Sequence, residues 1–75
     1  MNSGNINSLV SDHPRIVQDP AIMAGVPVIK GTRITVEIIL ERLNAGESVG
    51  QIANSYRNID IQDVHAAIEY AKRHR

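Results

Sequence analysis

From Ile34 to the end of the chain, apolar residues recur every three or four positions, the spacing of one face of a helix. Ile34, Ile38, Ile39 and Leu43 share such a face, with Leu40 at its margin, and predict a first helix over 35–45. Thr35 suits its N-cap, Glu37 sits well in its first turn, and Gly46 stops it as a C′ residue. Glu37 and Glu41 face outward, with Arg42 nearby. Val49, Ile52, Ala53 and Tyr56 keep the period and predict a second helix over 48–56. Ser48 followed by Gln51 reads as a capping box at its start, and Asn58 suits the turn after it. Ile61, Val64, Ile68 and Ala71 form a narrower stripe, with Ala67 beside it, and predict a third helix over 60–74. Asp60 is its expected N-cap and Asp63 its third residue. Its outer face would carry Gln62, His65, Ala66, Glu69, Lys72 and Arg73, and the basic end 72–75 suits a helix C-terminus.

The N-terminal part has a different rhythm. Residues 1–14 are rich in Asn, Ser and Gly, their few apolar residues show no period, and they read as a loose tail. Arg15-Ile16-Val17-Gln18 is β-prone, and Asp19-Pro20 is a turn signal. Through the stretch Gly25–Thr35 the chain reads as strand, turn, strand, turn and helix entry. Gly25 and Gly31 tolerate positive φ, Pro27 extends Val26, Val28 and Ile29 favour strand, and Thr32 or Thr35 can cap the helix. The product is a β arm over 15–33 followed by three helices: a mainly α fold in a single domain, 15–75.

The arm is rich in apolar residues. Ile22, Met23, Val26, Val28 and Ile29 offer more apolar surface than so small a helical core is expected to cover, beside an unpaired strand edge. That favours association, with Ile22, Met23, Val28, Ile29, Lys30 and Arg33 as the partner-binding residues. The alternative is an arm folded back over its own helices. Arg33 would reach a carboxylate on the partner or pair internally with Asp19. Lys30 and Arg33 beside Gly31 also read as an anion site, or as plain solvated cations.

Composition narrows the function. The chain has 75 residues, no Cys, no Phe or Trp, and only Tyr56 and Tyr70 as aromatics, so an aliphatic core must hold it together without disulfides. So small a core favours association, and a homodimer is expected. Eight basic and eight acidic residues balance, whereas dedicated nucleic-acid binders are usually basic. DNA binding would therefore need a local patch or a dimer. No apolar run approaches membrane-spanning length, and the start of the chain does not read as a signal peptide, so a cytoplasmic protein is expected. No Ser/His/Asp arrangement or phosphate loop stands out, and His65 and Glu69, one turn apart, lack a third metal ligand. The expectation is a protein that is not an enzyme and uses no cofactor or metal.

Two short helices joined by a small turn, after a longer one, match a helix-turn-helix over Ser48–Ala67. Candidate DNA contacts are Arg57, Gln62, His65, Lys72, Arg73 and Arg75. Against them, Asp60 and Asp63 would repel phosphates at the start of the recognition helix. Any three-helix domain buries similar stripes, and a protein-binding role for the same face stays equally open.

The stretch Asp19-Pro20-Ala21-Ile22-Met23-Ala24-Gly25-Val26-Pro27-Val28-Ile29-Lys30-Gly31-Thr32-Arg33-Ile34-Thr35-Val36 closely resembles the hallmark segment of the domain of unknown function family numbered 433. The likeness continues through Leu43–Ser48, Ile52-Ala53 and Tyr56 to Ile61–Ala71, and covers about residues 15–72. It departs at Val26, where Lys is common, and at Arg57, where Pro is common. The resemblance implies a homeodomain-like helix-turn-helix with an N-terminal β arm. It also implies kinship with proteins often paired with a PIN-like nuclease and regarded as antitoxins of type II toxin–antitoxin systems. The function expected on that basis is an antitoxin-like regulator that binds a PIN-like nuclease toxin and, as a dimer, operator DNA. The alternatives are a stand-alone DNA-binding regulator and a structural protein-interaction module. The family has no agreed catalytic residues to carry over.

Overall fold

In the computed structural model, which describes residues 13–74, three side chains start the three helices. Thr35 Oγ1 accepts from the Ile38 amide at 3.0 Å and begins α1, Val36–Asn44. Ser48 and Gln51 form a reciprocal capping box at the start of α2, Val49–Ser55. Asp60 and Asp63 do the same for α3, Ile61–Arg73. Each cap satisfies amides that the first turn of a helix leaves without partners. At the end of α1, Gly46 has φ +100. Its amide donates to Leu43 O, and the Glu47 amide donates to Arg42 O, which together make a Schellman motif.

Ahead of the helices, β1 (Ile16–Val17) pairs antiparallel with β2 (Val28–Ile29), with Ile16 opposite Ile29 and Val17 opposite Val28. Between them, Asp19 organises a turn: its Oδ1 accepts from the Ala21 amide at 2.9 Å and its carbonyl from the Ile22 amide. After β2 the chain turns again at 29–32. The Thr32 amide donates to Ile29 O, and Gly31 has φ +81, as the third position of a type II turn requires. The chain then runs back beside β2, with Val28 bridged to Thr35, and enters α1. The arm-plus-three-helices fold expected from the sequence is therefore the fold observed. Of the expected tail, residues 1–12 lie outside the described residues. His13 is part of a turn instead, its carbonyl accepting from the Ile16 amide and its Nδ1 from the Arg15 amide.

The core joins both parts of the chain. Ile16, Ile29, Ile39, Ile52 and Val64 are nearly or fully enclosed, and Val28 is as deeply buried. At Val28 and Ile29 the sequence expectation fails. The sequence puts them on a partner-binding face, but each is 1% exposed. The arm folds back over its own helices, because β2 lies between β1 and the 34–35 segment and the aliphatic core lacks bulk without it. On α1, two stripes fit the helical period. The buried one contains Val36 and Ile39, with Leu40 and Leu43 partly covered, while Ile38 stays exposed. On α3, β1 packs beside the helix and widens the buried arc. Ala66, expected outside, is enclosed, and Tyr70 is buried with its hydroxyl donating to Gln18 Oε1 at 2.7 Å. Ile61, expected inside, is 50% exposed. Among the described residues, no helix is long and apolar enough to cross a membrane.

Candidate interaction surfaces

Between the Asp19 turn and Pro27 the chain makes one left-handed turn, Met23–Gly25, closed by the Gly25 amide on Ile22 O and the Val26 amide on Met23 O. Its φ values are +50 at Met23, +58 at Ala24 and +85 at Gly25. Glycine occupies this region freely, but Met and Ala pay a steric cost there, of about 1 kcal/mol or more each. A Cβ added to Gly25 would meet Pro20 Cα at 3.7 Å, an ordinary contact, so backbone angle and not space calls for glycine here. The turn holds the Met23 side chain 42% exposed.

Met23 borders a surface hollow of about 260 Å³ with Ile34, Thr35, Ile38, Tyr56 and Arg33. Ile38, the apolar residue that α1 leaves outside, is 43% exposed. The arm, α1 and the end of α2 thus bring a long apolar side chain, an isoleucine, an aromatic ring and a cation to one place. Tyr56 is also held from behind by Arg42, whose guanidinium lies 5.2 Å from the ring centroid. Arg33 belongs to a second hollow of about 530 Å³ as well, shared with Ile22, Gly31, Thr32 and Asn58. A third, of about 430 Å³, lies between Val26-Pro27, α1 and the last turns of α3, where Tyr70 stacks on His74 at 4.1 Å.

Of the partner-binding residues expected from the sequence, Met23, Lys30 and Arg33 are exposed, Ile22 is half-buried, and Val28 and Ile29 are withdrawn into the core. Asp19 and Arg33 form no ion pair among the described residues; Asp19 accepts from the Ala21 amide instead. Of the expected DNA contacts, Arg57, Gln62, His65, Lys72 and Arg73 are exposed, and Arg75 lies outside the described residues. They are spread along the chain from the turn before α3 to its last turn. Arg57 precedes α3 and Lys72 lies in its last turn, roughly 17 Å along the axis from the helix start at Ile61. Gln62 and His65 face a shallow hollow of about 220 Å³ with His13, Arg15, Ala66 and Glu69.

The start of α3 is not the bare acidic end that its sequence implies. Arg15 donates to Asp63 Oδ1 at 2.8 Å and lies 3.6 Å from Asp60. The hydrogen bond to Asp63 pushes the Arg15 pKa up, so the cation is retained. No local sequence signal points to this pairing across 48 positions. Ile38 and Tyr56 were legible only as helical stripe residues, and what makes them surface features is the neighbouring turn at Met23. Among the described residues, no group of three or more His, Cys, Asp or Glu side chains is placed to hold a metal ion.

A family model described as "Protein of unknown function (DUF433)" matches residues 16–71, from β1 into the last turns of α3. The chain is also 27% identical over 70 residues to a protein of Sinorhizobium fredii (strain NBRC 101917 / NGR234) described as "Uncharacterized protein y4eO". That alignment takes in 93% of this chain and 32% of the relative, so the chain spans about a third of the relative's length. No solved structure matches the chain.

Proposed function

The chain belongs to the DUF433 family of proteins of unknown function, and from that premise we propose that it is a non-enzymatic, antitoxin-like regulator. In this reading it binds a PIN-like nuclease through the face around Met23, Arg33, Ile38 and Tyr56, and as a homodimer it binds operator DNA. The nuclease and the operator come from the family resemblance. The observation that supports a protein partner is the apolar hollow with Met23 and Ile38 both more than two-fifths exposed beside it. Large apolar side chains gathered around one concavity mark an interaction surface more than scattered ones do. The strained turn that displays Met23 points the same way, since backbone strain collects at functional sites. Arg33 at the rim suits an acidic surface on the partner.

A stand-alone DNA-binding regulator has less support. The exposed cations near α3 lie at its two ends, and its first turn carries Asp60 and Asp63.

The test is co-expression with a PIN-like nuclease encoded by a neighbouring gene, followed by co-purification. Wild type is expected to form the complex. Met23→Asp/Ile38→Asp is expected to lose it while keeping the wild-type circular dichroism. A complex that survives the double substitution overturns the assigned face. Light scattering of the protein alone tests the dimer, and a monomer mass across a micromolar dilution series rejects it.

A further inference from the structure

We infer that two adjoining turns, 30–33 and 57–58, form a binding site for the phosphates of a nucleic-acid backbone, a site separate from the outer face of α3. The inference rests on the nucleic-acid half of the function proposed above and places its contact. It begins with a rigid turn. The Thr32 amide and Thr32 Oγ1 both donate to Ile29 O, at 2.9 and 2.8 Å, and Oγ1 accepts from the Ile34 amide at 3.0 Å. Ile29 itself is locked in the core. Among the described residues, the amides of Gly31 and Arg33 donate to no group within the chain. A Cβ at Gly31 would meet nothing within 4 Å, so the backbone there is open to an approaching ligand. Gly31, Thr32, Arg33 and Asn58 line one hollow, which brings the amide-bearing side chain of the second turn to the first.

Charge gathers at the same place. The Lys30 amide donates to Arg15 O at 2.7 Å, which sets Lys30 opposite Arg15 at the end of the hairpin. Arg15 is engaged with Asp63 and Asp60, so the two acids at the start of α3 are countered from within the chain. Lys30, Arg33 and Arg57 are exposed and, among the described residues, have no ion-pair partner. Asp19 has its Oδ1 engaged by the Ala21 amide. Free amides, an amide side chain and unpaired cations are the groups that bind phosphate oxygens. Their spread over two open turns, without an enclosed pocket, suits successive phosphates of a polymer better than one small anion.

The test uses the full chain, isotopically labelled, titrated with a mixed-sequence DNA duplex and separately with inorganic phosphate. With the duplex, the largest amide shifts in the wild type are expected at Gly31, Arg33 and Asn58, a result that depends on no variant folding. Lys30→Ala/Arg33→Ala/Arg57→Ala should weaken duplex binding by about tenfold or more and flatten the salt slope by about 2.7. Lys72→Ala/Arg73→Ala should bind within about twofold of wild type. Shifts confined to Gln62, His65 and Glu69, an unchanged salt slope in the triple variant, or no duplex binding at low salt would each overturn the site. Inorganic phosphate matching the duplex in affinity and shift pattern would overturn the polymer assignment and leave a small-anion site. Because no nuclease is present, failure here leaves the partner reading untouched, and loss of the nuclease complex says nothing against this site.

Discussion

Arg42 holds the corner between α1 and α2. It donates from Nε and Nη2 to the Glu47 carboxylate, at 3.1 and 2.7 Å, and from Nη2 to Ser55 Oγ at 2.7 Å. Ser55 Oγ in turn donates to Gln51 O, so one guanidinium connects the Gly46 turn to the far end of α2. The hydrogen bond from Arg42 holds the Glu47 carboxyl below the usual glutamate range, and Glu47 pushes the Arg42 pKa up. A depressed carboxyl pKa in the folded state contributes stability above the unfolded-state value. That contribution is lost as pH falls through the folded value. Glu47→Gln should therefore lower the urea midpoint at neutral pH, modestly because the pair is partly exposed. The gap to wild type should close in strong acid, where both chains carry a neutral side chain at this position. A gap of equal size at both pH values would show that Glu47 acts through packing and not through its charge.

At the scale of elements, the caps carry the most local information. Ser48→Ala and Asp60→Ala should each cost about 1 kcal/mol in chemical denaturation, since each strips an amide of its side-chain acceptor. Asp60→Ala should cost somewhat more, because Arg15 lies 3.6 Å away. Unchanged midpoints in both variants would mean that the caps do not hold the helix starts. These boundaries were legible because a cap, a capping box and a Schellman glycine are written within a few residues of one another. Which face of a helix is buried was less legible. Periodicity puts Ile34, Ile38, Ile39 and Leu43 on one face of α1, whereas the structure buries Val36 with Ile39 and leaves Ile38 outside. The same holds on α3, against which β1 packs, where Ala66 is enclosed and the residue after β1 reaches Tyr70. The Arg15–Asp63 pair depends on the same long-range packing, which leaves no local trace.

For the molecule as a whole, the question is where the apolar surplus of the arm goes. The sequence offers two answers, association or self-coverage, and the fold divides the arm residue by residue into a buried part and an exposed part. Ile16, Val28 and Ile29 are spent on the monomer's own core, whereas Met23 and Val26 remain outside. The division follows the backbone. The paired strand segments are buried, while the left-handed turn leaves Met23 exposed beside Ile38 and Tyr56. Val28→Asp should therefore unfold the protein, because it places a carboxylate at a site that is 1% exposed and has no partner to offer it. Met23→Gly should behave in the opposite way. Glycine adopts φ +50 without the steric cost that Met carries, which offsets the entropy a glycine loses on folding. Its denaturation midpoint should match or exceed that of wild type, while co-purification of the proposed nuclease partner falls. A clear loss of stability on Met23→Gly would mean that this side chain belongs to the core after all. Full partner binding by a stable Met23→Gly protein would mean that the strain at this turn serves something other than the contact proposed for it.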